Sequence, residues 1–237
     1  FLPALASSLT NLGIRLSDLG QHEEALAGIR EAVELYRELA RHRPEAFLPV
    51  LAMSLNNLGN GLRDLGQREE ALAAYREAVE QYGELSRQRP EVFLPGLAMS
   101  LSNLGNGLLD LGQREEALAS AREAVEIRRG LARQLPDAFL PDLASSLNNL
   151  GGVLSKVGQR EEALAATREA VEVHCDYIQS RPATLRAFAK NLRITLYNLF
   201  RRLAALERSP DAEAELLGRA DAFLLAAEEP EAPVPGE

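Results

Sequence analysis

Residues 47–92 read FLPVLAMSLNNLGNGLRDLGQREEALAAYREAVEQYGELSRQRPEV. The same phrase opens at Phe1, Phe93 and Phe139, so its interval is 46 residues. Gly20, Gly66, Gly112 and Gly158 keep that interval, as do Pro3, Pro49, Pro95 and Pro141. A fixed period of this size marks an array of repeats rather than one globular core. Within the quoted copy, Leu51, Leu55, Leu58, Leu62 and Leu65 step by four and three, which places them on one helical stripe. Pro49 suits a first helical turn, where a missing N–H loses no partner, and predicts a first helix over 49–64. Gly66 predicts its end, because glycine accepts the left-handed conformation found there. Glu69 and Glu70 favour the positive end of a second helix over 68–87. Arg89-Pro90 closes it, since the residue before proline avoids the α region, and a short polar and aromatic loop is expected before Pro95. Equivalent pairs are expected at 3–18 and 22–41, 95–110 and 114–133, and 141–156 and 160–179.

Gly59, Ala71 and Ala78 are short where two helices must meet, and larger groups there would force them apart. One such hairpin cannot bury its stripe alone, whereas stacked copies can. The repeats are accordingly taken as 1–46, 47–92, 93–138 and 139–180.

Asn57-Leu58-Gly59, with Ala71 twelve residues after the glycine and Ala78 seven further on, resembles the tetratricopeptide repeat. That family has a usual period of about 34 residues; the longer period here is similar to the proline-led repeats of kinesin light chain and its bacterial relatives. The resemblance covers residues 1 to about 180. It departs from the family in lacking tryptophan and in placing Gly83 where a proline would fall, with Pro90 later. It implies an all-α, right-handed α-solenoid of helix-turn-helix repeats whose first helices line a concave groove that takes protein or peptide segments.

Composition narrows the class. The chain has 237 residues, 46% hydrophobic, with a net charge of −9 that argues against broad nucleic-acid binding. A single Cys175 excludes an internal disulfide and fits a reducing, cytoplasmic setting. No secretion signal and no apolar run near ~18 residues is apparent, so no membrane span is expected. Lys156 and Lys190 are the only lysines among many arginines, a bias of GC-rich bacterial genomes. Phe1-Leu2-Pro3 starts in phase with Phe47-Leu48-Pro49, which reads as an array excised from an upstream neighbour. Leu2, Leu5 and Leu9 would then lose cover and promote self-association. Residues 181–227 read as a degenerate fifth repeat or cap, and 228–237 as a disordered acidic, proline-rich tail.

The candidate site is polar. Met53, Asn56, Asn57, Asn60 and Asp64 are assigned to the face opposite the leucine stripe, with Met99, Ser102, Asn103, Asn106 and Asp110 equivalent in the next copy. An amide both donates and accepts, so it can pair with the backbone of an extended segment. The resemblance to kinesin light chain implies that Asn11, Asn57, Asn103, Asn149 and Asn198 form such a ladder, flanked by Asn148 in the fourth copy. Arg63, Leu109 and Lys156 vary along it between copies. The same amides could instead bond neighbouring helices and set the repeat geometry. Arg186, Lys190, Arg193, Arg201 and Arg202 form a basic stretch that could receive an acidic segment or be a solvated cap face.

His174 and Cys175 are adjacent and cannot share a metal from one helix. The recurring glutamates, with Arg76 among them, read as exposed charge paired along one helix. No convergent nucleophile, base and stabiliser is legible, so neither an enzyme nor a cofactor nor a metal is expected. The reading is a non-catalytic protein- or peptide-binding scaffold, the interaction or sensor part of a larger bacterial regulatory protein. The alternative is a structural spacer or self-assembly module.

Overall fold

The computed structural model describes residues 1–179. Eight helices follow one another: α1 Leu2–Asp18, α2 His22–His42, α3 Pro44–Asp64, α4 Arg68–Gln88, α5 Pro90–Asp110, α6 Arg114–Gln134, α7 Pro136–Val157 and α8 Arg160–Gln179. Among the described residues there is no strand. The fold is all-α and of the solenoid class, built from successive helical hairpins. The chain divides into two compact units, Phe1–Gly130 and a second from Leu131 onward. The expected degenerate repeat, basic stretch and tail lie outside the described residues.

The helix ends were legible. Gly20, Gly66, Gly112 and Gly158 all take positive φ, between +74° and +92°. Around Gly66 the Gln67 N–H reaches back to Leu62 O at 2.8 Å and the Gly66 N–H to Arg63 O at 2.9 Å, satisfying carbonyls that the helix end leaves open. The same pair of bonds closes α1, α5 and α7.

The helix starts differ from expectation. No loop precedes Pro49, Pro95 or Pro141; each lies inside its helix. The helices begin five residues earlier, at Pro44, Pro90 and Pro136, after a single extended residue with φ near −140°. Proline is favoured at a helix start and forces the preceding residue out of the α region. Pro49 removes one helical bond, to the carbonyl of Glu45. That residue is exposed, so water can serve the carbonyl instead. Arg43 and Arg89 set their guanidinium groups over Phe47 and Phe93 at 6.0 Å, which ties each start to its first turn.

In the first unit each helix packs on the next, and α1, α3 and α5 lie side by side. Leu55 and Leu62 on α3 are 0% and 1% exposed, covered by Leu26, Ile29 and Val33 of α2 and by Ala71, Ala74 and Tyr75 of α4. Burying each such leucine contributes ~1.5–3 kcal/mol. The expected small residues sit at the crossings: Ala71 and Ala78 are 1% and 0% exposed. A Cβ at Gly59 would come under 3.0 Å from the Tyr75 ring, and one at Gly107 would meet the other side of it at 3.1 Å. Tyr75 is thus wedged between α3 and α5. In the second unit α7 and α8 form one hairpin, with Gly151 set against Thr167.

Three glycines therefore predict three different outcomes in urea denaturation. Gly59→Ala should destabilise by ~1–3 kcal/mol, because the Tyr75 ring has nowhere to go. Gly66→Ala should cost about 1–2 kcal/mol through its left-handed backbone alone. Gly83 lies within α4 with nothing within 4 Å of an added Cβ, so Gly83→Ala should stabilise by about 0.5–1 kcal/mol. A common sign for all three would refute this assignment of roles.

Candidate functional site

The first helices present a row of polar and soft apolar side chains. Met53, Asn60 and Asp64 on α3 are exposed, Asn57 is half-buried, and Met99, Asn103, Asn106 and Asp110 continue the row on α5. Ser7, Asn11, Ile14 and Asp18 hold the equivalent places on α1, all exposed. The two methionines are 44% and 37% exposed, unusual for a side chain that could have been buried at no cost.

Asn56 departs from expectation. It is 1% exposed and lies inside, on the flank of α3 turned toward α5. Its Nδ2 donates to Ser100 Oγ at 2.7 Å and to Ala52 O at 3.3 Å. Asn103 Nδ2 donates to Asn56 Oδ1 at 3.3 Å, and Ser100 Oγ donates onward to Gly96 O at 2.9 Å. The chain of bonds runs from α5 into α3 and back. At the equivalent places Ser102 bonds its own helix, at Ala98 O, and Thr10 bonds Ala6 O and the Tyr36 hydroxyl of α2. Asn56 and Asn103 therefore lock one pair of neighbouring first helices together.

The other amides differ in what they have left to offer. Asn57 has no hydrogen-bond partner among the described residues. Asn60 accepts the Tyr75 hydroxyl at 2.7 Å, and burial pushes that phenol's pKa up. Where Tyr75 stands, the next copy has Ala121, and half-buried Asn106 has no such donor. Arg63 donates through Nε to Asp110 at 2.6 Å, and that carboxylate raises its pKa. Arg63 is thus held across α3 and α5. Asn148 and Asn149 are half-buried on α7 in the second unit. Asn198, Arg186, Lys190, Arg193, Arg201 and Arg202 lie outside the described residues. His174 is buried, which lowers its pKa.

The second helices are joined by charge over a longer reach. Arg30 pairs with Glu70 at 2.6 Å, Arg37 with Glu77 at 2.6 Å and Arg76 with Glu116 at 3.3 Å. These pairs link neighbouring repeats; the expected pairing of Arg76 along its own helix is not what forms. A cleft of about 410 Å³ opens between α2 and α4, floored by Leu58 and Leu62 of α3. Neighbouring first helices α3 and α5 are thus joined through short side chains, and neighbouring second helices through long ones. The sequence did carry a signal for the charge pairs: Arg and Glu separated by 40 residues, six short of the repeat.

A tetratricopeptide repeat model matches residues 50–130, and another of the same description matches residues 5–40 and 143–176. Among solved structures, the nearly identical TPR-like repeats of a Podosopora anserina protein described as a kinesin light chain superpose with a TM-score of 0.66. They share 20% identity and cover 94% of this chain and 97% of that one. BtubC (BKLC) from P. vanneervenii gives a TM-score of 0.52 at 20% identity, over 91% and 96%. MamA from Desulfovibrio magneticus RS-1 gives 0.53 at 18%, over 94% and 97%. These likenesses are of fold. No curated protein matches the sequence.

α5 is also long and apolar enough to cross a membrane by length and composition, contrary to expectation. Leu97, Leu101 and Leu108 on it are buried in the first unit, as in the core helix of an array.

Asn56→Ala should lower stability by ~1–3 kcal/mol, because Ser100 and Asn103 lose a buried partner. Asn57→Ala should change it by less than about 0.5 kcal/mol. Urea midpoints of the two variants measure the difference; equal losses would contradict the distinction.

Proposed function

Since the chain belongs to the tetratricopeptide repeat family, we propose that it is a non-catalytic scaffold holding an extended protein or peptide segment on the inner face of its first helices. The observation that supports this best is Asn57. It is half-buried between exposed Met53 and exposed Asn60, with a donor and an acceptor that no described residue uses. A backbone amide laid along the row would satisfy both. Asn11 offers the same group on α1, and Asn149 on α7. Met53 and Met99 supply adaptable apolar contacts, a surface that accepts varied side chains. Arg63 is pinned by Asp110, so it supplies a fixed charge for selecting among ligands.

The wider setting belongs to the same reading: the interaction or sensor part of a larger bacterial regulatory protein, working in the cytoplasm, bound to neither nucleic acid nor membrane. Self-association through α1 is a further contact this reading includes. The spacer reading also has an observation in its favour, since Asn103 serves the bond network between α3 and α5.

The two readings part at single residues. Ligands selected from a random peptide library should each lose about tenfold in affinity with Asn57→Ala or Asn149→Ala. The loss should be similar for peptides of unrelated sequence, because the backbone is common to all. Arg63→Leu should instead change the order of preference among them. If the library yields no ligand, or the Asn57→Ala protein binds every selected peptide unchanged, the spacer reading stands.

A further inference from the structure

Neighbouring first helices of the first unit meet at two seams that share one register but not one set of bonds. At the α3–α5 seam, three groups of α5 are bonded to α3. Ser100 Oγ accepts from Asn56 at 2.7 Å, Asn103 donates to Asn56 at 3.3 Å, and Asp110 accepts from Arg63 at 2.6 Å. The equivalents at the α1–α3 seam are Ser54, Asn57 and Asp64. None of these side chains has a hydrogen-bond or ion-pair partner among the described residues. Ser54 is 0% exposed, so its open Oγ is buried, where an unused polar group is costly.

The cause lies in what α1 supplies. Thr10 stands where Asn56 stands, and Ser17 where Arg63 stands. Thr10 already bonds Ala6 O and the Tyr36 hydroxyl, and Ser17 carries no charge. Arg15, the one cation of α1, pairs with Asp18 at 3.9 Å. Arg68 adds a bond from α4 to Asp110 O at 3.4 Å; His22 holds its place on α2, with a buried Nδ1 that lacks a partner. Arg63 serves two carboxylates unequally: it bonds Asp110, while Asp64 acts on it through charge alone. One guanidinium and two carboxylates leave a negative charge over. The α1–α3 seam thus lacks an arginine that the α3–α5 seam has.

We propose, on the strength of the scaffold reading above, that the held segment supplies this arginine. Its guanidinium pairs with Asp64 at the α1–α3 seam while its backbone lies on Asn57. The two residues are seven positions apart on α3, about 10 Å along a helix, which about three residues of extended chain span. The short side chains of Thr10 and Ser17 leave the guanidinium the place that Arg63 fills at the next seam. The ligand class is therefore an extended segment bearing arginine, and Asp64 is the residue that selects it.

Three sets of random nine-residue peptides, passed over the immobilised full chain, test this. They carry arginine, citrulline or glutamate at the centre; citrulline keeps the shape of arginine without its charge. The arginine set should be held about two- to fivefold more tightly than the citrulline set, as for an exposed ion pair. Asp64→Asn should abolish that difference, whereas Glu84→Gln, the same charge change at an exposed site on α4, should leave it. Ser17→Arg should also abolish it, by supplying the arginine from α1. Asp64→Arg should turn the preference to the glutamate set. A carboxylate in the last turn of a helix opposes the helix dipole, so Asp64→Asn should not lower the melting temperature. The proposal is overturned if the arginine and citrulline sets are held equally, or if the difference survives Asp64→Asn or Ser17→Arg. It is overturned as well if Asp64→Arg brings no preference for glutamate, or if Asp64→Asn melts lower, since Asp64 would then be structural. In each of these cases the scaffold reading stands as long as Asn57→Ala weakens all sets together. If no set is held, both readings fall.

Discussion

Everything in the first unit depends on how closely a first helix can approach the second helix of its own hairpin. The contact is made at a glycine, and what fills the space beyond it is a single side chain of the second helix. That side chain is Ile29 at Gly13 and Tyr75 at Gly59, while Gly105 rests on the backbone of α6 at Ala117; the hairpin of the second unit sets Thr167 at Gly151. Packing of this density leaves no slack. A residue of any size can stand on the second helix, but only hydrogen can stand opposite it. Gly107 extends the rule across the repeat boundary, closing on the far side of the Tyr75 ring. One tyrosine therefore joins two hairpins, and its hydroxyl carries the connection out to Asn60 on the inner face.

Two kinds of polar bond then register neighbouring hairpins, and they differ in length and in surroundings. Between α3 and α5 the buried bonds are made by short amide and hydroxyl side chains, where an unsatisfied group is expensive, with the exposed Arg63–Asp110 pair beside them. Between α2 and α4 they are made by arginine and glutamate at the surface, where each pair contributes little. The amide network holds position; the charge pairs tolerate change.

Features that recur in every copy were legible in the sequence. The period, the left-handed glycines and the small residues at the crossings are backbone and volume requirements that every copy must meet, so repetition exposes them. The helix starts are not legible in the sequence, because two prolines five residues apart both suit a first turn. Nothing local distinguishes Pro44 from Pro49; the packing of Phe47 and Leu48 against the core decides it. Asn56 was misplaced for a different reason. It stands one residue from Asn57, and whether that step turns an amide inward depends on how near α5 lies, which no single helix encodes. The arginine–glutamate pairs close only after stacking, and their trace in the sequence is the spacing of 40 residues alone.

The hardest distinction concerns residues of one type in one register. Asn57 and Asn103 are equivalent by sequence, yet Asn103 donates to Asn56 and Asn57 donates to nothing described. The cause sits in the preceding helix: Asn103 finds Asn56 within reach, whereas the place equivalent to Asn56 on α1 is held by Thr10, whose hydroxyl serves Ala6 O and Tyr36. Threonine is too short to hand a bond across to the next helix, so the amide that follows it stays open. The residue at the Asn56 place of the preceding first helix therefore decides whether the next amide is committed to structure. Identical amides are in this way graded by their neighbours: Asn103 is committed to the bonds between α3 and α5, and Asn57 is not.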